Sequence, residues 1–409
     1  MRTTQCVRAG WLIGAVGACM LVAGAARADV TTERPGSILI FPKVVCNGTR
    51  DTVIQISNTS NVVDQARCFY INGAKGRTGV AQCNETDFFI SLTKQQPTSW
   101  QACSGRSPIG FDGLGPGLVP PVPAGFTGAL VCAEVDASLA PVAMNALKGE
   151  ATLEGSPGNV ADLSKYNGIA VLGNTSGANN SDNDLNLNGV EYNACPATSR
   201  VNFVAAEAPD PIIPGLSGSE LPSSVTTTVT VLPCNLDMNA QVPTAVALTF
   251  AGAQGDETSF SGSRNISCWD SFTIDSSLIG AVPTEFGTLT IKSGKGGPVL
   301  AVVETLHSDG AGNTASAAFN THMEGQCVGT CTAPAGAPCL TNSNCSGTCS
   351  GTALIGNACS SNVDCGLGAC SGPRFCAGGT TAGRSCTKDV DCSGGTCPLP
   401  AAVIRLPGA

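Results

Sequence analysis

Residues Ser223-Ser-Val-Thr-Thr-Thr-Val-Thr-Val-Leu232 are β-branched at almost every position. Branching at Cβ restricts the side chain in a helix and suits the pleated surface of a sheet, so this stretch predicts a strand. The whole chain has the same bias, because it contains 50 Gly and 25 Pro but only 12% charged residues. Such a composition favours strands and turns over helices, and we predict an all-β fold.

Weaker strand patterns lie on both sides of this stretch, with short polar turns between them. They cover residues 37–45, 51–57, 65–71, 87–92, 126–135, 149–153, 168–172, 200–206, 244–250, 264–269, 287–291, 299–306 and 314–319. This spacing is typical of sandwiches and barrels, so we predict one or two β-sandwich domains followed by a disulfide-rich, loop-dominated repeat tail. In this spacing the body resembles bacterial immunoglobulin-like β-sandwich domains. Pro42 lacks the N–H of a central ladder, so the first strand is predicted to lie at an edge or to carry a bulge.

The first residues predict export. Arg2 and Arg8 precede an apolar run, and Ala26-Arg27-Ala28 ends this run as a small-x-small cleavage site. The run is too short to cross a bilayer as a helix. We therefore expect a signal peptide over residues 1–28 and a bacterial protein that is secreted or held at the cell surface. A competing interpretation is a lipoprotein signal in which Cys19 carries the lipid.

Proline and cysteine positions suggest how the remaining chain divides. Pro209, Pro211 and Pro214 are spaced like a linker. The predicted regions are 29–208, a β-sandwich domain with a long Gly/Pro loop; 209–222, a linker; 223–326, a second β-sandwich unit; 327–397, cysteine-rich repeats; and 398–409, a C-terminal tail.

The charge of the chain restricts its partners. The net charge is −9, and removal of the signal peptide would make it more negative by three arginines. An acidic surface repels phosphate backbones, so we predict no nucleic-acid partner. No second apolar stretch approaches transmembrane length, and we predict no transmembrane segment. The expected partner is an unknown extracellular macromolecule, or a second copy of the chain in self-association.

The predicted body contains an even number of cysteines, namely Cys46, Cys68, Cys83, Cys103, Cys132, Cys195, Cys234 and Cys268. An even count in an exported chain predicts four disulfides. If the linker at 209–222 separates two units, only Cys234 and Cys268 lie in the second unit. They are therefore predicted to pair with each other.

The tail repeats one cysteine pattern three times. Gly336-Ala-Pro-Cys339, Gly356-Asn-Ala-Cys359 and Gly383-Arg-Ser-Cys386 each begin G-x-x-C-x5-C, and a third cysteine follows. Structural zinc sites have narrower, paired cysteine knuckles, so we predict disulfides. Each repeat has an odd number of cysteines, and at least one bond per repeat must leave it, which predicts neighbouring repeats linked into a short rod. The tail cysteines predicted to form disulfides are Cys327, Cys331, Cys339, Cys345, Cys349, Cys359, Cys365, Cys370, Cys376, Cys386, Cys392 and Cys397.

In this spacing the repeats, Gly336 to Cys397, resemble the small cysteine-rich module of the Dickkopf N-terminal region and similar modules of secreted bacterial proteins. The resemblance implies an extracellular interaction or spacer module.

The best small-ligand signal is Ser181-Asp-Asn-Asp-Leu-Asn-Leu-Asn-Gly189. Alternate oxygens followed by a Gly match the opening of a calcium loop, and the segment resembles EF-hand and related D-x-D-x-D-G loops. Its twelfth position is Cys195, which replaces the usual bidentate Glu. The predicted calcium ligands are Asp182, Asp184, Asn186, Asn188 and Glu191. The alternative is a surface loop held by Asn and Asp turns, and no other cofactor is predicted.

Catalytic signatures are missing from the sequence. It has no G-x-S-x-G elbow, no H-E-x-x-H, no P-loop and no C-x-x-C. The two histidines, His307 and His322, fall at opposite ends of a predicted hairpin, roughly 25 Å apart, and so cannot share a metal. Candidate catalytic carboxylates are Glu134 and Asp136, which strand parity places on one face, or Asp162.

These observations predict a non-enzymatic, secreted or cell-surface binding protein of the adhesion type, with a β scaffold and a disulfide-stapled interaction or stalk module. One alternative is a structural subunit of an extracellular fibre or coat, which long β-branched strands would suit. A second alternative is a secreted hydrolase that uses carboxylates.

Overall fold

The described residues form many strands and almost no helix, as the all-β prediction requires. In the computed structural model these residues are 30–107, 117–155, 163–174, 183–187, 189, 191–206, 224–238, 244–252, 259–279, 286–293, 297–308, 314–325, 347–350, 358–359, 369–370 and 402–407. The one helix within these ranges, α1 (Ser276–Ile279), has four residues. In this part of the chain, no helix is long and apolar enough to span a membrane.

The strands have the following bounds. In chain order they are β1 (Ile38–Cys46), β2 (Arg50–Asn58), β3 (Asp64–Asn72), β4 (Glu85–Leu92), β5 (Pro97–Gln101), β6 (Phe126–Val135), β7 (Leu147–Gly155), β8 (Leu163–Asn167), β9 (Ile169–Val171), β10 (Asp184–Asn186), β11 (Thr198–Val204), β12 (Ser224–Pro233), β13 (Leu236–Asp237), β14 (Thr244–Gly252), β15 (Ser259–Ile266), β16 (Asp270–Thr273), β17 (Phe286–Ser293), β18 (Val299–Ser308), β19 (Thr314–Asn320), β20 (His322–Glu324), β21 (Gly347–Ser350), β22 (Ala358–Cys359), β23 (Ala369–Cys370) and β24 (Val403–Arg405).

The β-branched stretch that predicted the fold forms strand β12, as expected. Val225, Thr227 and Val229 are buried and the residues between them are less buried, as expected for a strand with one face on a core. The first strand, β1, is buried along its whole length and lies between β6 and β9. The predicted edge position is therefore wrong, but the alternative of a bulge is confirmed, because the pairing register shifts between Phe41 and Val44 around Pro42.

The strands form five larger sheets and one small sheet. Sheet 1 has the order β4-β3-β6-β1-β9, sheet 2 β5-β2-β7-β8, sheet 3 β16-β12-β18-β19, sheet 4 β15-β14-β17-β11-β20, and sheet 5 β10-β24-β13. The small sheet, β22-β21-β23, pairs a strand of the first cysteine repeat with two strands of the second. The other residues of the repeats, and with them nearly all the predicted tail disulfides, lie outside the described residues.

The five larger sheets follow one another in a propeller-like ring, and the prediction of one or two sandwich domains is wrong. Sheets 1 and 2 share one apolar core, and sheets 3 and 4 share another. Sheets 2 and 3 meet at their edges, where Asn167 and Asn320 exchange hydrogen bonds. A third core joins sheet 5 to the opposite face of sheet 1, and Met323 of sheet 4 packs against it. Sheet 1 is thus covered on both faces, which a separate two-layer sandwich would not require.

The body cysteines form the four predicted disulfides, but one predicted partner choice is wrong. The bonds are Cys46–Cys103, Cys68–Cys132, Cys83–Cys268 and Cys195–Cys234. Cys234 and Cys268 therefore bond to earlier parts of the chain and not to each other. The prediction assumed that the chain divides at residues 209–222, and the sheets do not divide there, because β11 precedes these residues and pairs with β17, which follows them. The predicted linker itself lies outside the described residues.

Residues 402–407 of the predicted tail 398–409 return to the body. Their strand β24 lies in the middle of sheet 5, antiparallel to β10 and parallel to β13. Ile404 and Leu406 are buried in the third core. In the sequence, the cysteine-rich repeats therefore lie between two segments that both contact this core.

Candidate anion-binding site

A recess of about 330 Å³ lies where sheets 1, 2 and 3 meet. Lys43 of β1, Arg50 of β2 and Ser271 of β16 line it, together with Lys75 from the loop after β3 and Trp269 just before β16. Three basic side chains thus surround one small volume in a protein whose net charge is negative. This contrast makes the recess a candidate site for an anion.

The bulge in β1 positions Lys43. It is the only charged residue of this strand, and it directly follows Pro42 at the register shift. A bulge redirects the side chains beside it. The backbone here is fixed by Tyr166, whose hydroxyl donates to the Lys43 carbonyl at 2.5 Å and accepts from the Lys43 N–H at 3.1 Å. Burial raises the pKa of Tyr166, so its hydroxyl keeps the proton that the first of these bonds needs.

Glu304 of β18 holds two of the cations. Its carboxylate lies 2.6 Å from Lys43 Nζ and 2.5 Å from Arg50 Nη2, and only 7% of its side chain is exposed. Burial alone would raise the pKa of Glu304, but the hydrogen bond from Arg50 and the charge of Lys43 outweigh this and lower the pKa to about 2. The carboxylate is therefore ionised at every pH near neutrality and ties sheet 3 to sheets 1 and 2.

A second carboxylate, Asp270, holds Lys75 and Arg264. The distance from Lys75 Nζ is 3.3 Å and that from Arg264 Nη2 is 2.9 Å. The Arg264 guanidinium also lies 4.7 Å from the centre of the Phe272 ring. Lys75 is the most accessible of the basic groups, with 51% of its side chain exposed, so it can reach a ligand at the mouth of the recess.

Trp269 forms one wall of the recess. Its indole N–H donates to the Pro42 carbonyl at 2.8 Å, and the ring lies so close to Gly73 that a methyl group there would overlap it. The disulfide of the neighbouring Cys268 attaches this segment to Cys83 near β4. The wall is therefore rigid, and a ligand would meet a preformed surface.

Positive charge dominates the lining of this site. Lys43, Arg50 and Lys75 line the recess, and no carboxylate is among the described residues that line it. Positive groups in a partly enclosed, low-dielectric cleft focus the field and raise the local concentration of anions. Ammonium and guanidinium donors suit carboxylate, sulfate or phosphate oxygens. The chemistry that the recess supports is the binding of a small anionic group.

Sequence reasoning missed this site, although a signal for it was present. Lys43 and Glu304 are single charged residues inside otherwise apolar strand segments. A charge that must be buried needs a partner of opposite sign. Their mutual pairing across 261 positions of the chain follows only from the tertiary structure.

Three of the predicted calcium ligands, Asp184, Asn186 and Glu191, lie in the described part of the chain. Asp184 pairs with Arg405 at 3.3 Å, and Glu191 accepts a hydrogen bond from Asn186 Nδ2 at 2.6 Å. No group of three or more metal-ligating His, Cys, Asp or Glu side chains occurs in this part of the chain. Asp182 and Asn188 lie outside the described residues, and calcium binding stays a prediction.

The predicted pair of catalytic carboxylates is not a pair. Strand β6 ends at Val135, so alternation does not extend to Asp136, which is exposed and caps a turn through Ser138. Glu134 is buried instead and accepts hydrogen bonds from three successive backbone N–H groups, of residues 144–146. Asp162 lies outside the described residues.

The structure gives Glu134 a different carboxyl partner, Asp64, which the sequence did not suggest. Asp64 is 1% exposed, and the Gln65 N–H is the one backbone donor that lowers its pKa. A hydrogen bond between the two carboxyls therefore requires a proton, and the three N–H donors keep Glu134 as the acceptor. Burial, followed by the charge of Glu134, raises the pKa of Asp64 to about 8.

The two histidines lie in different sheets. His307 is in β18, and the hairpin of β18 with β19 is confirmed. The expectation that His322 lies opposite the start of β18 is wrong, because the chain leaves sheet 3 after Asn320 and β20 pairs with β11 of sheet 4. His322 lies 3.2 Å from Glu324 and is largely exposed.

A larger concavity, of about 560 Å³, lies on the outer face of sheet 2. It is lined by uncharged polar residues such as Gln55, Ser57 and Ser99, with Lys148 and Glu150 of opposite charge. No aromatic residue is among those that line it, and Trp100 of the same sheet faces the core. The recess at the junction of the sheets carries the more specific chemistry.

Comparison with known proteins does not name a family for this chain. No family model matches it, and no curated protein matches it. Among solved structures, the crystal structure of Thermotoga maritima 1070 matches with 10% sequence identity and a TM-score of 0.22, over 33% of this chain and 95% of that chain.

Proposed function

We propose that this protein is an exported, non-enzymatic binding protein that holds an anionic group of an extracellular macromolecule in the recess between sheets 1, 2 and 3. The observation that carries the proposal is the lining of the recess by three basic side chains, Lys43, Arg50 and Lys75, in an acidic protein. Four disulfides in the body support an oxidising, extracellular location.

The size of the recess and the charge of the chain define the ligand class. A volume of about 330 Å³ takes one carboxylated, sulfated or phosphorylated unit, not a long chain. The negative net charge repels an extended polyanion such as nucleic acid. The ligand is therefore a single anionic group, presented by a partner whose remaining surface has little negative charge.

The basic side chains have different roles in this proposal. Lys43 and Arg50 are held by Glu304, so they provide a fixed positive wall for the ligand. Lys75 is half-exposed and paired at 3.3 Å with Asp270, and it can turn from this carboxylate to the ligand. The cysteine-rich repeats serve as an interaction or spacer module, as their resemblance to small extracellular modules implies.

The test is a titration of the full-length mature protein with inorganic sulfate and with inorganic phosphate, followed by calorimetry, with chloride added to hold the ionic strength constant. We expect saturable binding at one site. Lys75→Gln should weaken it about tenfold, as the loss of a hydrogen bond to a charged group implies. Lys94→Gln is the matched control, because it removes the same charge from an exposed residue outside the recess. The absence of saturable binding, or an equal effect of both substitutions, would contradict the proposal.

A further inference from the structure

Strand β24 is the central strand of sheet 5, and it joins the other two strands. Asp184, Leu185 and Asn186 of β10 pair with it on one side, and Leu236 and Asp237 of β13 pair with it on the other. The hydrogen bonds continue beyond the strand, since Leu187 donates to the Ala402 carbonyl, Leu406 to that of Asn183 and Met238 to that of Arg405. The segment 402–407 thus satisfies the backbone groups of both neighbours.

The same segment fills an apolar slot. Ala402, Ile404 and Leu406 are almost fully buried in the core between sheets 5 and 1. Without them, the facing side chains of Leu185 and Leu236 would be open to water. The slot is therefore incomplete unless a strand of this sequence occupies it.

Charged groups determine the direction and register of the segment. Arg405 lies 3.3 Å from Asp184 and 3.4 Å from Asp237, one carboxylate on each neighbouring strand. Arg67 of sheet 1 donates to the Pro407 carbonyl at 2.9 Å. These contacts make the slot specific for the sequence Ala402-Val-Ile-Arg-Leu-Pro407.

The connection to this strand is long. Residues 326–401, which include the cysteine-rich repeats, separate it from β20. A strand at the end of such a connection can dock into its own slot or into the same slot of a neighbouring molecule, and the contacts are the same in both cases. The strand favours the slot of its own chain only because the tether gives it a high effective concentration there. Neighbouring copies compete for the strand when their concentration approaches this effective concentration.

We propose that segment 402–407 is an exchangeable strand, which leaves the slot of its own chain and completes sheet 5 of a second copy. Exchange in both directions closes a dimer, and exchange in one direction extends an open chain of molecules. The occupant of the slot is in each case the same segment of another copy, since the two carboxylates and the apolar positions select this sequence.

The first test uses trans cross-linking. Leu185 and Ile404 are direct partners in the antiparallel pair, as are Cys68 and Cys132, which form a disulfide in this protein. Full-length protein with only Leu185→Cys is incubated at high concentration with full-length protein that has only Ile404→Cys. We expect a disulfide-linked heterodimer whose bond maps to positions 185 and 404 by mass spectrometry. If no such bond forms after prolonged incubation, the proposal is wrong.

The second test locks the strand in its own slot. We expect the unmodified protein to form concentration-dependent oligomers by light scattering. A chain with both Leu185→Cys and Ile404→Cys should form the bond internally and form no such oligomers. Gln55→Cys with Glu150→Cys is the matched control, because these residues are also direct strand partners but lie in sheet 2. The control should still form oligomers. Equal oligomer formation by the locked chain, or an unmodified protein that is monomeric at every concentration, would overturn the proposal.

Discussion

We predict that the buried carboxyl pair Asp64 and Glu134 makes the stability of this protein depend on pH. Asp64 must carry a proton to donate a hydrogen bond to Glu134, and its burial excludes water from the pair. Above the pKa of Asp64, two negative charges face each other in the interior. We predict that Asp64→Asn removes this effect, because the amide donates the same hydrogen bond without a titratable proton.

The size of the effect follows from the shift. The pKa of Asp64 rises from 3.8 in the unfolded chain to about 8 in the folded one. An acid with a raised folded pKa contributes full stability below its unfolded pKa and loses it as the pH rises through the folded value. A shift of about four pKa units corresponds to roughly 5 kcal/mol, and water that enters on ionisation reduces this value. We expect the free energy of unfolding to fall by about 2–5 kcal/mol between pH 4 and pH 8.

The assay is urea unfolding of the full-length protein with intact disulfides, at intervals from pH 4 to pH 8.5. The difference between the variant and the unmodified protein isolates Asp64, since Glu85, whose burial raises its pKa to about 7, titrates in both. The curve of Asp64→Asn should be flatter, and its stability at pH 8 should be higher. Glu134→Gln should instead destabilise at every pH, because its NH2 group would face three N–H donors. Parallel pH curves for Asp64→Asn and the unmodified protein would refute the reasoning.

Three further substitutions test other contacts. Glu304→Gln leaves two cations without their shared counter-charge, so urea unfolding should show a loss of about 3–5 kcal/mol; an unchanged midpoint would mean that solvent already screens them. Gly73→Ala places a methyl group against Trp269, and we expect a loss of about 1–3 kcal/mol with a shifted tryptophan emission, whereas an unchanged spectrum would contradict the close contact. Replacement of both Cys83 and Cys268 by Ser opens a loop of 185 residues and should cost about 5 kcal/mol on the chain-entropy model, and a loss below 1 kcal/mol would argue against this pairing.

The strands were largely predictable because their signal is local. β6 has the predicted bounds 126–135, and β12 and β18 differ from theirs by one or two residues. Strands with mixed polarity, such as β5 and β8, gave no alternating pattern long enough to find. Pro42 predicts an edge strand or a bulge, and only the bulge is confirmed, because the place of β1 between β6 and β9 depends on which strands lie beside it.

The candidate site was less predictable, since its parts come from distant positions. The single charges Lys43 and Glu304 are visible in the sequence as exceptions within apolar strands, but the sequence does not say that they pair. The alternation of side chains along a strand is a local rule, and it groups Asp136 with Glu134. The partner in the structure is Asp64, which lies on the neighbouring strand β3 and is distant in the sequence. In the same way, an even cysteine count predicted four bonds but not the partners of Cys234 and Cys268.

The sequence by itself determined that this protein is built of strands and that its body cysteines suffice for four disulfides, because β-branched residues and cysteine counts act locally or in total. Only the tertiary structure decided the ring of sheets, the recess and the return of β24 to the middle of sheet 5. The physical reason is that strands pair through backbone N–H and C=O groups, which are the same in almost every residue. The packing of side chains between sheets and the pairing of buried charges therefore decide which strands lie side by side, and these contacts exist only in the folded chain.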